Sequence, residues 1–442
     1  VKDRTHADLQ NKRYIEWIRF LRESEDWSRE QIEEYQLAQL KGIVRHAYDN
    51  TEGYRELYDS VGIAPDAIQT AGDFRELPFV EREMINDNLE DFSSDVKGRY
   101  YHTTGGSTGT PLGFYRDPVS WARELASKAY QYYRVGWKEG HRKLVLRGGG
   151  PILSADHMKY EPRFNELKCS SLHLSPEQME TYRKRALDFK PDWIMCYPSS
   201  GYIFAKFLSA PPRPFPPIKG ILCASENLYD FQKTLLSEAF SVRVFSHYGQ
   251  CEMVVLAGFC EHEDTYHVLP QYGYAELVGG NGKPVVEPGQ VGEIVGTSFI
   301  MRATPFIRYR TGDLAVLKGW QCRSCGRPYQ IWERIEGRAQ EFFVTGTGRY
   351  IPMTALNMHD GIFDHIKRFQ FFQKEKGKVV FRFAAKDSCN EKILQAMNAR
   401  LMLKFGDDVE LEMEPVKEIP LTPRGKQRFL IQEMKLGYGV DG

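Results

Sequence analysis

The sequence predicts an α/β protein. The expectation is a large N-terminal domain with parallel sheets and a small β-barrel-like part, then a small C-terminal α+β domain. Three observations carry this. Between Tyr100 and Asp313, short apolar runs alternate with longer stretches of helical periodicity, as in a parallel sheet with crossover helices. After Pro270 the apolar runs are separated by Gly, Pro and Asn, which fits antiparallel strands or a small barrel. From about Gly337 a strand–helix–strand pattern stands by itself, within the usual size of a domain. The expected division is 1–336 and 337–442.

In chain order, Tyr14, Trp17, Ile18 and Leu21, then Leu37, Leu40, Ile43, Val44, Ala47 and Tyr48, recur at three- and four-residue spacing. That is the stripe of amphipathic helices packed on a core. Strands are expected at Lys143–Arg147, Trp193–Cys196, Ile218–Cys223 and Val242–Phe245, with helices at Pro176–Phe189 and Tyr229–Ala239 between them. Pro211–Pro217 reads as a stiff turn before a strand. Glu276–Val278, Glu293–Thr297 and Leu314–Leu317 form the antiparallel part. Lys378–Phe383, Asn390–Phe405 and Val409–Met413 are the strand, helix and strand of the last domain.

With 59 basic and 59 acidic residues, the 442-residue chain has no net charge. A chain-wide basic field for nucleic acid is therefore absent, and nothing in the charge calls for a membrane partner. An apolar fraction of 42% supports a real core rather than disorder. No segment approaches the ~18 apolar residues that span a bilayer. Val1-Lys2-Asp3-Arg4 opens on charge with no apolar stretch after it, so a cytoplasmic protein is expected. Eight cysteines are too few for a disulfide scaffold.

Four segments carry chemistry. Thr103-Thr-Gly-Gly-Ser-Thr-Gly-Thr-Pro111 mixes three glycines with hydroxyl side chains, so its backbone N–H groups and hydroxyls can approach phosphate oxygens. No Gly-Lys-Ser/Thr follows, so it is not a Walker A loop. Phe245-Ser-His-Tyr-Gly-Gln-Cys-Glu252 follows an apolar strand. It offers Tyr248 to stack on a purine and Glu252 to hold Mg²⁺ beside phosphates. Phe306-Ile-Arg-Tyr-Arg-Thr-Gly-Asp313 reads as a turn after a strand, with Asp313 placed to accept two sugar hydroxyls. Leu421-Thr-Pro-Arg-Gly-Lys-Gln-Arg428 sets Lys426 in a Gly-containing loop. Each alone is more commonly an ordinary turn. A fifth signal is Cys322-Arg-Ser-Cys325, a Cys-x₂-Cys knuckle, with Cys260, His262 and His267 upstream. A Cys₃His set closes a tetrahedral structural zinc site, and four protein ligands leave no open position for catalysis.

In this order the four segments resemble the adenylate-forming ligase superfamily, more closely its phenylacetate–coenzyme A ligase branch with the CapK-like proteins. The resemblance runs from about residue 75, where Leu77-Pro-Phe-Val80 stands in the position before the first motif, to the end. It implies a two-step reaction. A carboxylate attacks the α-phosphate of ATP to give an acyl-adenylate and pyrophosphate, and an acceptor, coenzyme A in this branch, then displaces AMP. It implies that Thr104, Ser107, Thr108, Gly109 and Thr110 clasp the phosphates, Tyr248 lies on adenine, Glu252 helps hold Mg²⁺, Asp313 holds the ribose, and Lys426 bridges carboxylate and phosphate. It also implies a mobile C-terminal lid hinged in Ile335-Glu-Gly-Arg-Ala-Gln-Glu341, with Arg338 among the nucleotide-binding residues.

The acyl pocket implied lies near Tyr197, Ser199 and His247, which suits a flat, aromatic or polar acid. Some relatives separate a cysteine and a histidine by six residues before a later Cys pair, which favours His267 over His262 beside Cys260, Cys322 and Cys325. The sequence departs from the family pattern at three places. Gln340 replaces the hinge acid, Leu112 stands where many members carry lysine, and Met353 and Thr354 follow Pro352 where an acid is usual. These departures motivate an alternative acceptor: an amine, a sugar amine or a carrier thiol. A zinc-stabilised nucleotide-binding protein without turnover is a third reading, disfavoured because Glu252, Asp313 and Lys426 are all present.

Overall fold

The computed structural model describes residues 11–104, 112–147, 154–338, 342–353, 356, 361–422 and 427–434. It divides into two compact units, residues 1–138 with 247–335 and residues 139–246 with 336–442. The strands Val244–Gly249 and Ile331–Arg338 carry the chain from one to the other.

In the first unit, the expected N-terminal helices are Lys12–Glu23, Arg29–Asn50 and Glu52–Ser60. Their spaced apolar positions are the buried ones: Tyr14, Trp17 and Leu21, then Leu40, Ile43, Val44 and Ala47. Ser28 starts the second helix by a reciprocal bond with Gln31, which satisfies donors that a helix start leaves open. The helix Pro118–Arg134 begins with Asp117, whose carboxylate accepts from the amides of Val119 and Ser120 at 2.8 and 2.9 Å, and with Pro118 in the first turn.

The antiparallel part has the order Gly273–Val278, Val291–Ser298, Tyr309–Gly319, Ile331–Arg338, Tyr266–Val268, Leu256–Phe259 and then Val244–Gly249. Of the two arrangements open to it, this is an antiparallel run in linear order. Gly273 allows its edge strand to lie close. A Cβ there would come 2.1 Å from the Val254 carbonyl oxygen and 2.7 Å from that of Thr297.

One local expectation is corrected. Thr311-Gly312-Asp313 is not a turn after a strand but an irregularity inside the Tyr309–Gly319 strand. Glu293 pairs with Leu314 while Val295 pairs with Arg310, so the residues between are extra on one side. Gly312 takes a φ of +72° there, the left-handed region that glycine enters without a Cβ clash.

The second unit holds the parallel sheet. Lys143–Leu146 pairs in parallel with Glu166–Cys169 on one side and Trp193–Cys196 on the other, and Gly220–Ala224 continues the order. Met158–Glu161 adds an antiparallel edge. Lys143–Leu146, Trp193–Cys196 and Gly220–Ala224 are buried along their whole length, as strands covered on both faces must be. The helices Pro176–Phe189 and Asp230–Phe240 lie where the periodicity places them.

In the C-terminal part of this unit the sheet order is Glu410–Pro415, Lys378–Ala385, Ile366–Glu375, Leu430–Gln432. Its central pair is antiparallel and its outer pairs are parallel. The helix Glu391–Phe405 buries Met397, Leu401 and Phe405, one stripe at four-residue spacing. Their core also takes in Tyr229 and Phe231, with the Phe429 ring 5.3 Å from Tyr229. The buried Gln373 amide accepts from the Val344 N–H and donates to its carbonyl, both at 2.8 Å. A side chain thus does for the short Phe342–Val344 strand what a neighbouring backbone would do.

Candidate active site

The glycine-rich segment hangs from a hairpin, Tyr100–Thr103 against Gly113–Arg116. Thr104 closes it, its amide donating to Leu112 O and its Oγ1 accepting from the Leu112 amide, each at 2.9 Å. Ser107, Thr108, Gly109 and Thr110 lie outside the described residues, as does Lys426. Arg338 ends the Ile331–Arg338 strand.

Tyr248, Glu252 and Asp313 all belong to the first unit. The Tyr248 hydroxyl donates to Asp313 Oδ2 at 2.7 Å, and its ring meets Trp332 edge-on, with centroids 5.8 Å apart. The irregularity that presents Asp313 is fixed by its own bonds. Thr311 Oγ1 donates to Ile294 O at 2.7 Å and accepts from the Asp313 amide at 3.1 Å, while the Gly312 amide donates to Glu293 Oε1 at 3.2 Å.

Tyr248 lies in the Val244–Gly249 strand, one residue before its end. The turn that follows is held by Arg116, whose Nη2 donates to Cys251 O at 2.7 Å, and by the Met253 amide on Gln250 O. It carries Glu252 inward, where the residue is only 5% exposed. There Glu252 Oε1 accepts from the Tyr309 hydroxyl at 3.3 Å and lies 3.8 Å from Arg82 Nη2. Burial, with this carboxylate beside it, raises the Tyr309 phenol well above its usual range. The geometry brings together an aromatic face, a carboxylate at a strand irregularity, and a buried carboxylate. Glu252 suits Mg²⁺: it is a hard oxygen ligand and a single carboxylate, which this ion takes together with phosphates and water. Arg82 and Trp332 lie outside the motifs, and Tyr309 lies within one without an assigned role; only the two aromatics carry any sequence signal, as aromatics on apolar strands.

The three acyl-pocket candidates are placed differently. Tyr197 and Ser199 belong to the second unit, at the start of the helix Pro198–Ser209. The Ser199 amide and Oγ both donate to the Glu226 carboxylate, at 3.0 Å each. Ser199 therefore caps a carboxylate onto a helix start, where a negative charge is favoured. His247 is in the first unit, with Nδ1 3.3 Å from the Tyr132 hydroxyl.

The sulfur and imidazole ligand atoms of Cys260, His267, Cys322 and Cys325 all lie within 4.8 Å of one another. Cys260 and Cys322 sulfurs are 3.9 Å apart, and Cys325 Sγ is 3.8 Å from His267 Nδ1. A tetrahedron of Zn–S radius ~2.3 Å has an edge of about 3.8 Å, so the donor spacing fits such an ion. The cluster is built by two tight turns. Cys260 N bonds Thr265 O and returns the chain to His267, while Cys322 exchanges backbone bonds with Gly326 and Arg327.

The His262 amide donates to Cys260 Sγ at 3.4 Å, and the His262 side chain is exposed. Burial pushes the Cys322 thiol up to about 12 and Cys260 upward. Burial, and then the Arg134 guanidinium, push His267 down to about 3. Burial thus disfavours charge on Cys260, Cys322 and His267, and a divalent ion offsets this by binding thiolates and neutral imidazole. His267 Nε2 is buried without a hydrogen-bond partner, while Arg134 Nη2 lies 3.2 Å from Nδ1 and 2.7 Å from Glu261.

Residues 343–433 match the CapK C-terminal domain family. Protein CapK of Staphylococcus aureus is 24% identical over 437 residues, spanning 96% of this chain and 93% of that one. A phenylacetate–coenzyme A ligase of Aromatoleum evansii is 27% identical over 330 residues, 72% of each chain. Among solved structures, 2-hydroxyisobutyryl-CoA ligase in its postadenylation state superposes with a TM-score of 0.74 at 17% identity, covering 92% of this chain and 90% of that one. The motif order, the fold and these relatives agree: the chain belongs to the adenylate-forming (ANL) superfamily of ligases, with CapK and the phenylacetate–coenzyme A ligases among its homologues.

Proposed function

We propose that this protein is an ATP-dependent, AMP-forming ligase that activates a small carboxylic acid as its acyl-adenylate and transfers the acyl group to coenzyme A. The observation that carries the reading is the 2.7 Å bond from Tyr248 to Asp313, on the same unit as the buried Glu252. On this reading the three side chains serve as nucleobase platform, ribose acceptor and metal carboxylate. Tyr248 lies against adenine and Asp313 accepts the ribose hydroxyls. Glu252 holds Mg²⁺, which when bound neutralises phosphate charge. The loop from Thr104 through Ser107, Thr108 and Gly109 to Thr110 clasps the phosphates. Lys426, carried on a lid of residues 337–442, joins the acid to the α-phosphate, and Arg338 helps hold the nucleotide at the hinge. Tyr197, Ser199 and His247 face the acid.

Catalysis here is positioning and charge stabilisation at phosphorus, which asks for no acid–base dyad. Cys260, His267, Cys322 and Cys325 hold a structural zinc, remote from the chemistry in role because all four positions are protein ligands. Gln340 at the hinge, and Met353 and Thr354 after Pro352, favour a second reading in which the acceptor is an amine, a sugar amine or a carrier thiol.

The test is acid-dependent pyrophosphate release with ATP and Mg²⁺ across aryl, aliphatic and amino acids, with Lys426→Ala beside the wild type. Release with one acid class, lost in the variant, is expected. ATP binding with no release for any acid would leave a nucleotide-binding protein without turnover. Acceptors added to preformed acyl-adenylate then separate the two readings, and thioester formation with coenzyme A removes the second.

A further inference from the structure

The segment Leu77-Pro-Phe-Val80 has no chemical role of its own, yet it is built into the site. The Val80 amide donates to Arg308 O at 3.1 Å and Val80 O accepts from the Arg310 amide at 3.0 Å. This pins it parallel to Tyr309 on the strand that carries Asp313. Two residues later, Arg82 extends toward Glu252.

The Arg82–Glu252 contact is looser than the buried Arg308–Glu276 pair of this unit, and Arg82 also donates to the Tyr309 hydroxyl. Arg308 grips Glu276 with two donors, at 3.0 and 3.1 Å. Arg82 Nη2 stays 3.8 Å from Glu252 Oε1, within reach of its charge but too long for a hydrogen bond. The two also differ in depth: the Arg82 side chain is 24% exposed and that of Glu252 7%. The guanidinium therefore lies on the solvent side of the buried carboxylate. A divalent ion on Glu252 would repel it, and an anion arriving with that ion would attract it. A guanidinium presents the planar fork that matches phosphate oxygens.

We infer that Arg82 balances the charge of Glu252 before nucleotide binds, and turns its guanidinium to the β- and γ-phosphoryl oxygens, the pyrophosphate leaving group, when Mg²⁺–ATP arrives. This rests on the adenylate-forming reading above, and it assigns Arg82 as a binding residue for the leaving group.

Calorimetry on the full chain, with Mg²⁺–ATP, Mg²⁺–pyrophosphate and AMP as separate probes, tests it. Arg82→Ala should weaken ATP and pyrophosphate about ten- to hundredfold, the range of a lost charge-assisted hydrogen bond, and leave AMP within twofold. Arg82→Lys keeps the charge beside Glu252 and loses the fork. It should fall between the two, and it carries the test if the alanine variant does not fold. Equal weakening of AMP and ATP would make Arg82 a structural residue and overturn the assignment, as would unchanged ATP and pyrophosphate affinity. Wild-type protein that binds neither ATP nor AMP would overturn the adenylate-forming reading itself, and this assignment with it.

Discussion

Replacing Arg308 by Met tests how the first unit of this protein is held together. Arg308 is 5% exposed and Glu276 is 5% exposed. The guanidinium makes two hydrogen bonds to the Glu276 carboxylate and donates also to the carbonyls of Arg75 and Leu77. Methionine fills similar volume and removes every donor. It leaves one carboxylate buried without its partner, which costs about 3–5 kcal/mol, and orphans two carbonyls, at roughly 1–3 kcal/mol each where water cannot reach. Burial raises the Glu276 carboxyl against the attraction of Arg308, so losing Arg308 favours its neutral form and the lower part of that range is expected. For a unit of this size that is a fall in Tm of about 10 °C. Because Arg75 and Leu77 lead into Val80 and Arg82, ATP affinity should fall as well. Differential scanning calorimetry and ATP titration read both. Adding Glu276→Leu should recover part of the lost Tm, because no carboxyl is then left buried without its partner, without restoring ATP affinity. A single Arg308→Met variant within 2 °C of wild type, or a double variant worse than the sum of its singles, would refute the account.

Three further outcomes are expected. Protein expressed with zinc should carry one zinc per chain by elemental analysis, and Cys325→Ser should lose most of it, with Tm falling, while His262→Ala keeps it. Metal-stripped protein should lose stability as the pH falls. The His267 pKa drops from an ordinary 6.5 to about 3 on burial, so below 6.5 the unfolded chain takes a proton that the folded one refuses. The slope is about 1.4 kcal/mol per pH unit down to about pH 3. Glu261, lowered to about 2, adds to the loss only below about 4.5. Urea melts between pH 7 and 5 should show the slope, and His267→Gln should remove it. Finally, Tyr248→Phe deletes the bond to Asp313 but keeps the ring, so ATP affinity should drop less than tenfold. Tyr248→Ala should cost clearly more, and equal losses would remove the stacking role.

Much of the architecture was legible because its signals are local. The stripe Tyr14, Trp17 and Leu21 has helical spacing whatever it packs against, and Trp193–Cys196 is apolar at every position because both its faces are covered. The Ile366–Glu375 strand was not read, since Ile366-Lys-Arg-Phe-Gln-Phe-Phe mixes buried and exposed positions without clean alternation. Thr311-Gly312-Asp313 was read as a turn because Gly and Asp favour turns. Inside a sheet, the pairing on both sides absorbed those residues as an irregularity.

The sequence by itself determined which residue types could do the chemistry and in what order they come: Thr104, Tyr248, Glu252, Asp313, Lys426, and the four metal-ligand candidates. Those identities follow from side-chain chemistry and spacing, which need no fold. Only the tertiary structure decided that His267 and not His262 stands among the three thiols, because the return of the Leu256–Phe259 strand into Tyr266–Val268 buries one histidine and leaves the other outside. Only it placed Arg82 beside Glu252, 170 positions away in the chain, through two backbone bonds at Val80. Such neighbours are chosen by strand pairing, and pairing is a long-range property that no local run of residues encodes.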